Sequence, residues 1–240
     1  KDAAGTTCHY QGTITATGYR YATPPTDTSK LDADDLLQGN SAVIVSDNVA
    51  GGIILAVPPK DNSTTDNDED KDGIEDSKEG SAVVRSFGAA PAMRIGSATK
   101  DITIGSVPGT GSGYGLIIDG TIAGNGVYKD IAGNGLEIGG QGHAATITRG
   151  IGISGTVSAS SQNSSATAIH LGAGAFTPII HVTGKVEATG SNAMSTLAGG
   201  IVIEQGATLL TVKNAGTIKA TATGADAPAV MPSVATPSSQ

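Results

Sequence analysis

One short phrase recurs along this chain, and its spacing limits the possible folds more than any other feature. The phrase is a glycine followed by Thr-Ile, Thr-Val or Lys-Val, and it begins at residues 12, 120, 155, 184 and 216. The last four copies are therefore 35, 29 and 32 residues apart. A period of about thirty residues is typical of stacked supersecondary units, none of which can bury its apolar face alone. The sequence therefore predicts a solenoid.

Two further sets of short apolar segments lie between the copies, always in the same order. The first set is 92–96, 135–139, 168–172 and 200–203, and the second set is 101–105, 145–148, 179–182 and 209–212. Apolar and polar residues alternate within the segments, as they do in a β-strand that is buried on one face. Three short strands in each coil of about thirty residues predict an all-β fold, a right-handed parallel β-helix. In this register one inward ladder contains Ile122, Val157, Val186 and Ile218.

An earlier and looser coil is predicted from the segments 41–45, 52–57 and 81–84. Two insertions, 19–40 and 58–80, enlarge its turns. The alternative fold is an antiparallel β-sandwich of short strands. Hairpins would not repeat a three-strand order at a constant period, so the sequence favours the β-helix.

These segments divide the chain into three parts. Residues 1–40 are an N-terminal strand or cap with the first insertion, and residues 41–224 are the β-helix, which carries the acidic insertion 58–80. Residues 225–240 are rich in Pro, Ala and Ser, and they are predicted to be a tail or linker because proline cannot donate to a sheet. The chain begins at Lys1, and we expect it to be a processed or excised part of a longer secreted chain.

The composition fits a narrow core of small aliphatic side chains. Glycine occurs 35 times, tryptophan is absent and phenylalanine occurs twice. Glycine interrupts nearly every window that could show helical periodicity, which argues against an α-helical solenoid. No run of eighteen apolar residues is present, so we expect no transmembrane helix in this sequence. The single cysteine, Cys8, excludes an internal disulfide framework.

The negative charge is concentrated in one segment. The net charge is −8, and residues 61–79 hold nine acidic residues and two lysines. The rest of the chain is nearly neutral, with thirteen acidic and twelve basic residues. The sequence therefore offers no basic face for a nucleic acid or an anionic membrane.

The acidic segment contains the one motif with a readable chemistry. In residues 68–79, acidic residues stand at positions 1, 3, 5, 9 and 12 and a glycine at position 6, which is the spacing of a calcium loop. The predicted ligands of a structural Ca²⁺ are the carboxylates of Asp68, Asp70, Asp72, Asp76 and Glu79 and the carbonyl group of Ile74. Because isoleucine follows the glycine directly, the loop resembles the extracellular thrombospondin type 3 class more than an EF-hand. The alternative is an acidic turn that only solvates the surface.

No other segment predicts a catalytic or binding site. The glycine-rich segments 109–113 and 124–126 are predicted to be turns rather than phosphate cradles, because neither opens a helix. His170 and His181 are predicted on different faces of one coil, solvated and without a metal or catalytic role. No Ser-His-Asp set can be assembled from the spacing. We therefore predict no enzymatic activity.

Part of the repeat carries a family resemblance. The matching segments are Ile201-Val202-Ile203-Glu204-Gln205-Gly206-Ala207, Asn214-Ala215-Gly216-Thr217-Ile218 and residues 88–96. Over about residues 12–224 the chain resembles passenger domains of bacterial autotransporters of the sphingomonad type. The resemblance implies an extracellular β-helical stalk at the bacterial surface. It also implies secretion through the outer membrane by a β-barrel translocator in the same longer chain, and the expected partner is this translocator or a surface partner.

Three classes of function are compatible with these observations. We favour a non-enzymatic cell-surface or secreted protein, a structural stalk or adhesin that binds a glycan or another cell-surface ligand. The second class is a subunit of a surface filament or lattice that assembles through open β-helix ends. The third is a carbohydrate-active β-helix, a polysaccharide lyase or hydrolase, which requires charged residues to converge on one face. The insertions 19–40 and 58–80 are the predicted contact regions, because loops on a rigid scaffold carry recognition.

Overall fold

The described part of the chain consists almost entirely of β-strands. A computed structural model describes residues 7–18, 29, 31–60, 62–69, 73–191 and 197–223 of the 240-residue chain. In chain order the strands are β1 (Cys8–Tyr10), β2 (Thr13–Ala16), β3 (Val43–Val45), β4 (Ile53–Leu55), β5 (Val83–Phe87), β6 (Met93–Ile95), β7 (Ile102–Ile104), β8 (Leu116–Ile118), β9 (Thr121–Lys129), β10 (Gly133–Ile138), β11 (Ala145–Ile147), β12 (Ile151–Ile153), β13 (Thr156–Gln162), β14 (Ala166–Leu171), β15 (Ala175–Val182), β16 (Lys185–Ser191), β17 (Ala198–Ile203), β18 (Thr208–Asn214) and β19 (Thr217–Thr223). Among the described residues the only helix is a 3-10 helix, Asp76–Lys78. Within the same residues, no helix has the length and hydropathy needed to cross a membrane.

The strands form three parallel sheets, which are the three sides of a β-helix. Sheet 1 stacks β2, β5, β9, β13, β16 and β19. Sheet 2 stacks β3, β6, β10, β14 and β17. Sheet 3 stacks β1, β4, β8, β12 and β15, with β7 and β11 beside them and β18 over β15. The predicted parallel β-helix is therefore confirmed.

The interior of sheet 1 contains the predicted ladder. The side chains paired across its successive strands are Ile14, Val84, Ile122, Val157, Val186 and Ile218. Those of Ile122, Val157 and Val186 are 0% exposed, and Ile218 packs against the same core. The prediction of this column is confirmed, and the column extends two strands further towards the N-terminus.

Sheet 3 differs from the prediction of one strand per coil. In two coils this side is made of two short strands, β7 with β8 and β11 with β12, whereas β15 and β18 are single long strands. Consequently Ile180 pairs with Ile151 on one side and with Val212 on the other. The predicted alignment of residues 179–182 with residues 145–148 is therefore wrong.

Backbone conformation explains why the shorter strands are interrupted. Arg149 and Gly150, between β11 and β12, have φ angles of 59° and 96°. Such left-handed residues cannot continue an extended strand. Residues 105–115 form the longer connection between β7 and β8, where Gly109 and Gly113 also have positive φ angles. The strand β15 has no such residue along its length, so it stays continuous.

The two insertions leave the β-helix in its first coils. The described residues 31–40 lie between β2 and β3, and the acidic insertion lies between β4 and β5. Most of the predicted first insertion between 19 and 30, and the predicted tail 225–240, lie outside the described residues. The last described coil is less buried than those beneath it, since Val212 is 39% exposed although it continues an interior column.

Candidate metal site

The acidic insertion is attached to the first coil at its two ends. The N–H group of Ala82 donates to the carbonyl oxygen of Ala56 over 2.7 Å, so the chain enters and leaves the insertion at neighbouring points. On the far side of this junction, the N–H group of Gly12 donates to the carbonyl oxygen of Gly80 over 2.9 Å. The first coil could therefore close at this junction if the insertion were removed.

Local hydrogen bonds fold the insertion on itself. The N–H group of Asp66 donates to Ser63 Oγ over 3.1 Å, which forms a turn at the start of the acidic run. Gly73 has a φ angle of 94°, and its N–H group donates to Asp68 Oδ2 over 3.1 Å. The N–H group of Asp76 donates to the carbonyl oxygen of Asn67 over 2.9 Å. The segments 62–69 and 73–79 are thereby held against each other.

Asp76 lies at the centre of this arrangement. Its side chain is 7% exposed, and its Oδ1 atom accepts the N–H group of Glu69 over 3.3 Å. The Oδ2 atom of Asp76 and the Oε2 atom of Glu69 are shielded from solvent, and neither accepts a hydrogen bond from the protein. Among the described residues, no lysine or arginine pairs with either carboxylate, and Lys78 instead pairs with Glu75 over 2.9 Å. Within the described residues, this buried pair of carboxylates therefore has no lysine or arginine partner.

The neighbouring carboxylates strongly perturb one another. The pKa of Asp76 is raised to about 6, chiefly because its protonated carboxyl group can hydrogen bond to Glu69. Burial and the negative charges of Glu69 and Glu79 raise this pKa further. The pKa of Glu69 is lowered, first because it receives that hydrogen bond. In the absence of a cation, the pair therefore favours holding one proton.

The structure describes four of the six predicted calcium ligands, and it brings a further acidic residue, Glu69, next to Asp76. Asp68, Ile74, Asp76 and Glu79 all belong to the folded insertion, whereas Asp70 and Asp72 lie outside the described residues. The Oε1 atom of Glu79 accepts the side-chain amide of Gln11 over 2.9 Å, which links the loop to the chain between β1 and β2. Calcium binding by these residues stays a prediction.

Glu69 is the residue that the motif missed. It occupies position 2 of the loop, where the spacing of calcium loops assigns no ligand. Its position became apparent only when residues 62–69 were seen folded against Asp76. Its Oε1 atom accepts the N–H group of Asn62 over 3.1 Å, which leaves Oε2 directed to the interior of the cluster.

A second acidic cluster was not predicted. Asp32, Asp34 and Asp35 bring one carboxylate oxygen each within 4.8 Å of one another, a spacing that could hold a metal ion. The pKa of Asp34 is raised, first because its protonated form hydrogen bonds to Asp32. The carbonyl oxygen of Asp35 accepts the buried hydroxyl group of Tyr128 over 2.6 Å, which fastens this turn to β9. These contacts are those of an acidic turn packed on the β-helix.

The two outward histidines are paired rather than solvated. The Nε2 atom of His170 lies 3.0 Å from Glu204 Oε1, and the Nδ1 atom of His181 lies 2.8 Å from the hydroxyl oxygen of Tyr114. The prediction that they lie on different faces is confirmed, since His170 is in sheet 2 and His181 in sheet 3. The prediction that they are solvated is wrong, because both are half-buried. Tyr114 gave no sequence signal, since it lies in an irregular connection.

Comparison with protein-family models, with curated proteins and with solved structures found no match to this chain.

Proposed function

We propose that this chain is a rigid, non-enzymatic β-helical scaffold of a bacterial cell surface, with the role of a stalk or adhesin. The observation that carries the proposal is the unbroken interior column from Ile14 to Ile218. Six paired strands at the spacing of a β-sheet span ~24 Å along the axis. From β3 to β19, the described strands of successive coils are hydrogen bonded to one another in three sheets.

The insertions of the first coils are the proposed contact regions. They expose three apolar side chains, namely Leu36 at 44%, Leu37 at 59% and Ile74 at 48% exposure. The acidic insertion adds a dense negative charge to this region, while the remainder of the chain is nearly neutral. Recognition by loops that a rigid scaffold positions is a common arrangement. A glycan or another cell-surface molecule is the proposed ligand.

The proposed cellular setting follows from the resemblance to autotransporter passenger domains. A passenger of this class is exported through the outer membrane by a β-barrel translocator, so the chain would be extracellular and attached to the bacterial surface. The parallel β-helix supports this setting because it is the fold that the resemblance implies. The motifs that carry the resemblance lie in β17 to β19 and the segment before β6, which build sheets and contain no catalytic residue set.

A surface filament is the second candidate, and the last described coil favours it. Leu210 is 66% exposed on this coil and Val212 is 39% exposed. Strands at the end of a β-helix can pair with the first coil of another copy, as sheet edges generally do. Sedimentation of the purified chain over a range of concentrations distinguishes the two: a scaffold stays monomeric, whereas a filament subunit forms oligomers without a fixed upper size.

A direct test of the non-enzymatic proposal uses the purified chain on acidic and neutral polysaccharides. Binding and product formation are followed in the same samples, with uronate-containing and uncharged polymers compared. Retention of a polymer without a change in its length supports an adhesive scaffold. Formation of new reducing ends or unsaturated sugars overturns the proposal in favour of a hydrolase or a lyase.

A further inference from the structure

We propose that the acidic insertion binds one calcium ion between the carboxylates of Glu69 and Asp76, and that the ion fixes the insertion to the first coil. This inference is independent of the proposed scaffold function. It depends on two carboxylate oxygens, Asp76 Oδ2 and Glu69 Oε2, that are shielded from water and accept no hydrogen bond within the part of the chain that the structure describes.

Asp76 is buried within the insertion. A carboxylate that is removed from water needs a cation, hydrogen-bond donors or a proton. The Oδ1 atom of Asp76 accepts the N–H group of Glu69, whereas its Oδ2 atom has no donor among the described residues, and the two carboxyl groups lie within hydrogen-bonding reach of each other. The groups that act on Asp76 from the surrounding insertion are Glu69 and Glu79, and both are acidic. A cation between the two carboxylates would turn this repulsion into attraction.

The donor set favours calcium over other metal ions. Residues 58–80 contain no histidine or cysteine, so the soft ligands that zinc prefers are missing. Carboxylate and carbonyl oxygens on irregular loops suit Ca²⁺, which accepts six to eight oxygens in a flexible geometry. Mg²⁺ requires a nearly ideal octahedron and gives up its water reluctantly. Asp68 and Glu79 belong to the same folded insertion, and water molecules could supply the remaining oxygens of the coordination shell.

The position of the ion gives it a structural effect. Glu69 lies at the end of the segment 62–69, and Asp76 begins the 3-10 helix of the segment 73–79. An ion shared by the two side chains would close these segments on each other. Glu79 then carries the constraint to Gln11 through the 2.9 Å hydrogen bond. Calcium should therefore order the insertion without changing the coils beyond it.

The test is a calorimetric titration of the chelator-treated full-length chain with CaCl₂ at neutral pH. The expected result is saturable binding of one ion with a dissociation constant on the order of 0.1–1 mM. Glu69→Gln and Asp76→Asn keep the shape of each side chain and remove its charge. Each should weaken binding by about tenfold or more, as loss of a metal-site partner typically does. The matched control is Glu75→Gln, which removes one charge from the same insertion at a residue that pairs with Lys78, and it should bind like the unaltered chain.

Two further measurements keep the outcome decisive. Circular dichroism of each variant shows that the β-helix is folded, so that weak binding cannot be attributed to misfolding. Titrations with MgCl₂ and NaCl at the same ionic strength measure how much of the response comes from screening of the dense negative charge. The proposal is overturned if CaCl₂ gives no saturable heat. It is equally overturned if NaCl reproduces the response, or if Glu69→Gln and Asp76→Asn bind calcium as tightly as the unaltered chain.

Discussion

Gly155 lies so close to the coil beneath it that a methyl group on its Cα atom would come 2.0 Å from the carbonyl oxygen of Gly120. The next two copies of the phrase repeat this contact: Gly184 would meet Gly155 at 2.1 Å, and Gly216 would meet Gly184 at 2.2 Å. None of these four glycines has a positive φ angle. In the last four copies of the phrase the glycine is therefore required by close stacking of turns, whereas Gly12 in the first copy has a φ angle of 71° and no atom within 4 Å of the position of an added methyl group.

We expect Gly155→Ala to destabilise the β-helix, because the added methyl group would force successive turns apart. The expected loss in the free energy of unfolding is about 1–3 kcal/mol, the usual cost of overpacking. Gly111→Ala is the matched control, because a methyl group there meets no atom within 4 Å. Denaturant unfolding of both variants checks the prediction. Equal stability of the two variants would contradict the stacking of the turns.

Val186→Asp should be far more harmful than a change on the outer face of the same strand. Val186 is 0% exposed and is paired with Val157 and Ile218 in the interior column. A buried carboxylate without a partner should lower the free energy of unfolding by about 4 kcal/mol or more. Lys185→Thr is the control, because Lys185 is exposed and Thr already occupies its register position at Thr156. A well-folded Val186→Asp variant would show that the column is not the core.

A double-mutant cycle tests the contact between Tyr114 and sheet 3. The Tyr114 ring crosses Gly152 to reach His181, and a methyl group at Gly152 would lie 2.4 Å from the ring. Gly152→Ala should therefore displace the ring, break its 2.8 Å hydrogen bond and destabilise the chain by about 1–3 kcal/mol. In a Tyr114→Ala background the same change should cost much less. An equal cost in both backgrounds would mean that the ring lies elsewhere.

The stability of the calcium-free insertion should rise as the solution is acidified. The pKa of Asp76 is raised from 3.8 to about 6, first by the hydrogen bond of its protonated form to Glu69. A carboxyl group whose pKa is higher in the folded state stabilises that state at pH values below the pKa it has in the unfolded chain. This contribution is lost as the pH rises through about 6. The hydrogen-exchange protection factor of the Asp76 N–H group should therefore be higher near pH 5 than near pH 7.

Two controls isolate the effect of Asp76. Asp76→Asn does not titrate, so its protection factor at position 76 should not change over the same interval. The contribution of Asp101 to stability depends on pH in the opposite direction, because the N–H group of Ala144 holds the pKa of Asp101 below its usual value. Its contribution to stability is lost only in more acidic solution, as pH falls through that lowered value. If the protection factor of the Asp76 N–H group did not change over this interval, Asp76 and Glu69 would not share a proton.

The sequence was sufficient for the parts of the fold that repeat. Alternation and period together gave the column that contains Val157 and Val186, because each side chain there repeats the environment of its neighbour. Sheet 3 could not be predicted in full for a local reason. Arg149 adopts a left-handed conformation that its residue type does not signal, and β12 is only three residues long with a glycine at its centre. Periodicity is not detectable in so short a segment.

In the candidate site, too, residues within one contiguous motif could be predicted from the sequence, whereas contacts between distant segments could not. Spacing alone predicts Asp76 and Glu79 as calcium ligands, since a calcium loop is a contiguous pattern, and this stays a prediction. Glu69 and the Gln11 contact depend on how the insertion folds back on the first coil. The pairing of Tyr114 with His181 joins residues 67 positions apart across two coils. Such contacts follow from stacking, and no local pattern encodes them.

The central claim is that a rigid β-helix presents the acidic insertion to a surface. Replacing residues 58–80 with a short Gly-Ser linker tests it, because Ala56 and Ala82 are already joined by a 2.7 Å hydrogen bond. The measurement is attachment of cells that display equal amounts of the full chain or of the shortened chain. We predict that the shortened chain keeps its β-sheet circular dichroism and loses most of the attachment. Undiminished attachment by the folded, shortened chain would contradict the account.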